Sequence, residues 1–78
     1  MRVISKEALQ ALRERFPKGT RVELVSMTDP DPVPIGTMGM VQGVNCFGDL
    51  EVAWDNGRSL SVIYGEDVCR KVADSDDQ

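Results

Sequence analysis

Three kinds of side chain in this sequence could do chemistry. Aspartates gather at two turns: Asp29 and Asp31 among prolines, and Asp55 beside Asn56-Gly57. Trp54 and Arg58 flank the second turn and could hold a ligand by stacking and by charge. Cys46 and Cys69 are the two thiols. Histidine is absent, which removes the commonest general base and the commonest metal ligand. Histidine-dependent triads and histidine-containing zinc sites are thereby excluded.

The remaining candidates for catalysis fail on environment. A carboxylate pair doing acid–base work needs one member with a raised pKa in a dry pocket. A chain of 78 residues buries only about 60% of the surface its unfolded form exposes, too little for a deep enclosed site. Aspartates in such turns have a simpler task, accepting backbone amides. Asp29-x-Asp31 is followed by prolines, not by further oxygen ligands, so it is no calcium loop. The cysteines show no CxxC or metal spacing and read as reduced thiols, Cys69 half-buried. The expectation is a non-enzymatic protein with no catalytic residue, no metal and no cofactor.

Binding chemistry is better represented. Trp54 could stack on a base or a proline ring, and Arg58 could grip a phosphate or carboxylate. Thr37 and Ser59 could donate hydroxyls to the same anion, with Asp55 beside them. Each residue also has a plainer reading. Trp54 is the largest side chain available to a core, and Arg58 could pair with Asp55 or Glu51 across strands. Asn56 serves the turn. Met27, Met38 and Met40 fill core space or form an adaptable apolar patch for a partner subunit.

The elements that must position these residues follow from periodicity. Residues 5–16 read as a helix capped by Ser5, with Ile4 placed to staple onto Leu9. Leu9, Leu12 and Phe16 form its apolar stripe, and Pro17 and Gly19 end it. Three turns are marginal alone, so the stripe must cover the following body or a second subunit. From Thr20 the period becomes two. Arg21–Met27, Met38–Val44, Leu50–Asp55 and Arg58–Ile63 read as strands, the last two joined at Asn56-Gly57. Three prolines between Asp29 and Gly36 make an extended loop, with Gly36 suited to positive φ. Gly39 and Gly43 mark bends or close backbone approach. Glu66–Val72 reads as a helical turn or a closing strand. The predicted fold is mainly β: a partly open antiparallel barrel of four to five strands behind one N-terminal helix. It forms a single domain over 1–73 (helix 5–16, barrel 20–72), with a disordered acidic tail at 74–78.

The net charge of −4 hides a segregation. Residues 1–21 carry six cations against two acids, giving +4, whereas residues 22–69 carry Arg58 against eight acids, giving −7. The basic element could therefore dock on acidic barrel surface in cis or in trans. A basic groove interleaved with aromatics is missing, so the sequence does not point to nucleic acid as a partner. The N-terminus lacks the apolar run of a secretion signal and no segment has membrane-spanning length. A cytoplasmic protein is expected, with no membrane partner.

Gly19-Thr-Arg-Val-Glu-Leu24, Asp29-Pro-x-Pro-x-Pro-x-Gly36, Gly39-x-Val41 and Trp54-Asp-Asn-Gly-Arg-Ser-Leu60 together resemble a family of small SH3-like barrels. That family is known as a domain of unknown function and is frequent in phages, prophages and mobile elements. The likeness covers roughly residues 17–70. The layout is also similar to phage sponge proteins that block Thoeris immunity, small SH3-like oligomers that sequester a cyclic nucleotide signal. The second resemblance implies an oligomer in host cytoplasm that removes a small cyclic nucleotide from solution. Trp54 would stack, and Arg58 with Thr37 or Ser59 would hold phosphate. The alternative is an adaptor that contacts a host or phage protein through the Trp54 surface or the helix.

Overall fold

A computed structural model describes residues 3–72. Helix α1 spans Lys6–Arg15. The Ser5 hydroxyl accepts the Ala8 amide at 3.1 Å, Glu7 lies in the positive first turn, and Arg13 and Arg15 lie in the negative last turn. Pro17 cannot continue the ladder, so α1 closes on Phe16, whose amide donates to the Leu12 carbonyl. Part of the stripe is seated within the same chain: Phe16 is buried and Leu12 packs against the core, while Leu9 lies half-buried outside it. Arg13 adds a guanidinium bond to the Val44 carbonyl at 3.2 Å. Of the basic segment 1–21, Arg21 meets a barrel acid, Asp55, whereas no cation of α1 forms an ion pair within the chain among the described residues. Arg13 and Lys71 reach carbonyls, and the ion pairs lie elsewhere. Ile4 packs on the 45–49 loop, where a Cβ at Gly48 would come within 2.7 Å of its Cδ1.

Four strands follow: β1 (Arg21–Ser26), β2 (Met38–Val44), β3 (Leu50–Trp54) and β4 (Val68–Lys71). They form one antiparallel sheet in the order β3-β2-β1-β4. The sheet is not closed on itself, as a small, partly open barrel requires. Glu66–Val72 thus resolves into a turn plus the closing strand. Alternation places Val22, Leu24, Val41, Leu50, Val52 and Trp54 in the core. Phe16, Val33 and Val62 complete it. Val33, only 1% exposed, pins the proline loop into the interior. The loop re-enters the sheet through the turn Pro34–Thr37, where Gly36 has φ +92°. Gly36 and Thr37 both bond Leu24, a two-for-one bulge that aims β2 along β1.

One feature corrects the sequence reading and a second gives the predicted close approach its partner. Arg58–Ile63 is not a regular strand: it meets β3 at isolated bridges, Leu50 with Val62 and Ala53 with Ser59. The Leu60 carbonyl, which a regular ladder would offer to β3, accepts the Trp54 indole Nε1–H at 2.9 Å. The second feature is Gly39, which lies directly under Trp54. A Cβ there would sit 2.7 Å from both Trp54 Cε3 and Val52 Cγ1, and 3.1 Å from the Ala53 carbonyl oxygen. The predicted tail at 74–78 lies outside the described residues.

Gly39→Ala should therefore cost about 1–3 kcal/mol by overpacking. Urea denaturation followed by Trp54 fluorescence measures it. An unchanged midpoint would show that the indole has room to move.

Candidate functional site

Each predicted ligand-binding residue has a definite place. Trp54 is 3% exposed, with its indole N–H satisfied within the core. A ring in that position offers no face to a base, which corrects the expected stacking role: Gly39 opens a seat for it and the core takes it. Arg58 does not reach Asp55 or Glu51. It spans instead to the proline loop, donating to the Pro32 carbonyl at 3.3 Å and approaching the exposed Asp31 carboxylate at 3.5 Å. Thr37 donates its hydroxyl to the Pro34 carbonyl at 2.6 Å and thereby fastens its own turn. Ser59 is exposed at the rim of a shallow depression of about 280 Å³ shared with Ser61, Gln42 and Glu51. Asn56 holds the hairpin turn by accepting the Arg58 amide, as expected. These residues do not converge on one pocket.

Asp55 has the most developed environment of the set. Arg21 grips it with both terminal nitrogens, at 2.6 and 3.1 Å. Hydrogen bonds from Arg21, aided by its charge and opposed by slight desolvation, hold the Asp55 carboxyl below its ordinary range. The same contact raises Arg21. Alternation puts Arg21, Glu23 and Val25 of β1 on the solvent side of the sheet. Their neighbours there include Met38 and Met40 of β2, Ala53 of β3, and Val68 and Arg70 of β4. Arg70 pairs with Glu23 on this side. Val25, Met40 and Val68 are exposed, and Ile35, at 75%, projects from the neighbouring turn.

The acids that matter most to the turns were not singled out by sequence. Asp67 is buried, and its carboxylate accepts three bonds: the Thr28 amide and hydroxyl, and the Ile63 amide. It ties the end of β1 to the turn preceding β4. Asp49 accepts the Tyr64 amide at 2.9 Å, and Asn45 accepts the amides of Phe47 and Asp49. Asp29 accepts the Asp31 amide, so the suspected acid pair is a turn. A signal for Asp67 existed only in its setting, a small acid after Tyr64-Gly65. Its partners are 4 and 39 residues away. Among the described residues no three Cys, Asp or Glu side chains are grouped to hold a metal, and no helix is long and apolar enough to cross a membrane.

A cavity of a different kind lies where α1 hands over to β1. This notch, about 600 Å³, is lined by Pro17, Lys18, Gly19, Thr20 and Arg21 on one side and by Lys71 and Val72 on the other. Among the described residues three of those lining it are cationic and none is acidic. The cysteines stand apart from it: Cys46 is exposed in the 45–49 loop, and Cys69 is half-buried, its thiol pushed up by desolvation against a smaller opposing effect of Arg15.

Three outcomes follow from these contacts. Asp67→Ala should destabilise the fold by about 2–3 kcal/mol, because two backbone amides lose their acceptor; a loss below 0.5 kcal/mol in urea titration would contradict this weight. A carboxyl depressed in the folded state stabilises it above the unfolded value and loses that effect as pH falls through the folded one. The gap in urea midpoint between wild type and Asp55→Asn should thus be present at pH 7 and shrink below about pH 4; a gap unchanged in acid would refute the ion pair's role. Iodoacetamide at pH 8 should label Cys46 well before Cys69, as read by peptide mass, and equal rates would show that Cys69 is not shielded.

No curated protein and no solved structure matches this sequence. One family model does, over residues 5–72, which takes in the helix, all four strands and the turns tied by Asp49 and Asp67. The chain belongs to the family described as Domain of unknown function (DUF4314).

Proposed function

We propose that this domain works by binding and not by chemistry, and that its main partner is a protein held on the solvent side of the sheet. The observation that supports this reading is the exposure of Val25, Met40 and Val68 there, with Ile35 beside them. The central charges of that side are already paired, Arg21 with Asp55 and Arg70 with Glu23. A partner can cover such a surface without stranding an unpaired charge, the condition that protein interfaces meet and nucleic-acid surfaces do not. The partner classes are a second copy of this chain and, following the resemblance to phage barrels, a host or phage protein. Capture of a small nucleotide-type signal is the second reading, with the basic notch in its favour in place of Trp54 and Arg58.

The protein reading is tested with Val25→Asp/Met40→Asp, both at exposed positions. Circular dichroism should leave the fold unchanged. Sedimentation should show a self-associated wild type and a monomeric variant, or an affinity capture should show one stoichiometric protein that the variant loses. Identical behaviour of the two forms in both measurements would sink the reading.

A further inference from the structure

The notch between α1 and the sheet has chemistry that the proposed protein contact does not use. The turn that forms it is set by local bonds: the Thr20 amide and hydroxyl both donate to the Pro17 carbonyl, at 3.0 and 2.6 Å. Gly19, with φ +96°, hands its amide to the Val41 carbonyl, and a Cβ added there would meet nothing within 4 Å. Its facing wall is the end of β4, fixed by the Val72 amide on the Arg21 carbonyl. Lys71 reaches back to the Arg15 carbonyl at 3.1 Å, and the Arg15 guanidinium lies over Phe16. Lys18, Arg21 and Lys71 therefore line one notch of a molecule whose body is acidic. Asp55, the acid paired with this group, is committed to Arg21. Among the described residues Lys18 makes no ion pair, and its backbone amide has no backbone acceptor.

We propose that this notch binds the phosphate group of a small organic phosphate. Lys18 contributes an ammonium and an adjacent amide, the arrangement that favours a phosphate oxygen. Lys71 supplies a second ammonium from the opposite wall. A volume near 600 Å³ falls in the usual range of small-molecule sites, roughly 300–1,000 Å³. Pro17 and Val72 offer apolar surface to the organic part. Macromolecular phosphate fits less well, because the acidic body on either side repels a long polyanion. The inference deepens the second reading above and shares no residue with Val25, Ile35, Met40 and Val68.

The test is a titration of the full-length, isotope-labelled chain with sodium pyrophosphate and with adenosine monophosphate, followed by amide NMR at low ionic strength. Sodium chloride at matched ionic strength is the control. Saturable shifts should appear at Lys18–Arg21 and Val72. Lys18→Ala and Lys71→Ala should each weaken binding about tenfold, the loss of one charge-assisted hydrogen bond. Lys18 sits in an exposed turn, so its variant keeps the fold if Lys71→Ala does not. No saturable shift at these amides, or equal shifts in the chloride control, overturns the proposal. A nucleotide that binds but moves amides elsewhere also overturns it, while leaving the capture of a nucleotide by this domain standing. Tighter, steeply salt-dependent binding of a single-stranded oligonucleotide at the same amides assigns the notch to nucleic acid and overturns the small-ligand proposal.

Discussion

Trp54 and Gly39 face each other across β3 and β2, and the indole has a seat because residue 39 carries no Cβ. Much of the structure hangs on that contact. The largest side chain of a domain short of aromatics enters the core there and turns its N–H toward the Leu60 carbonyl. The segment after the hairpin is thereby drawn over the open edge of β3 without completing a ladder. Val62 then returns to Leu50 through a pair of backbone bonds at 2.8 and 3.0 Å. A small barrel needs this economy, because each large apolar group must serve as both filling and strut.

Polar groups hold the turns in the same economical way. Asp67 binds two segments through one carboxylate, and Asp49 with Asn45 orders the 45–49 loop and reaches Tyr64. Arg58 binds the proline loop to the hairpin. Among the described residues no buried side-chain nitrogen or oxygen is left without a partner. Several residues whose types invite a functional reading are thus already occupied. Thr37 and Arg58 donate to carbonyls of a loop whose prolines lack N–H groups, and Asp29 accepts one of its remaining amides.

The charge segregation has a structural outcome of two kinds. On the solvent side of the sheet, cations and acids cancel as Arg21–Asp55 and Arg70–Glu23, leaving apolar side chains between neutralised pairs. At the junction of α1 and β1 the cations do not cancel. Lys18 and Lys71 are brought to the same notch because β4 ends where β1 begins. A neutral apolar side suits a protein, and a basic notch suits a small anion. The two surfaces differ in chemistry and lie on separate parts of the domain.

The helix with its Ser5 cap, the alternation of β1 to β3 and the left-handed Gly36 and Gly57 were legible in the residues, because capping, period and positive φ are local requirements. The absence of histidine and the turn roles of Asp29 and Asn56 were equally local. The candidate site was legible only as a list of side-chain types. Whether Trp54 meets solvent or core depends on Gly39, fifteen residues away, and whether Arg58 is free depends on the path of a proline loop. Asp67 became a hub, and Lys18 met Lys71, only once antiparallel register brought residues 39 and 53 positions apart together. Local sequence determined the elements and their faces; sheet order, set by packing between distant residues, decided which polar groups were consumed in holding the fold and which were left at the surface.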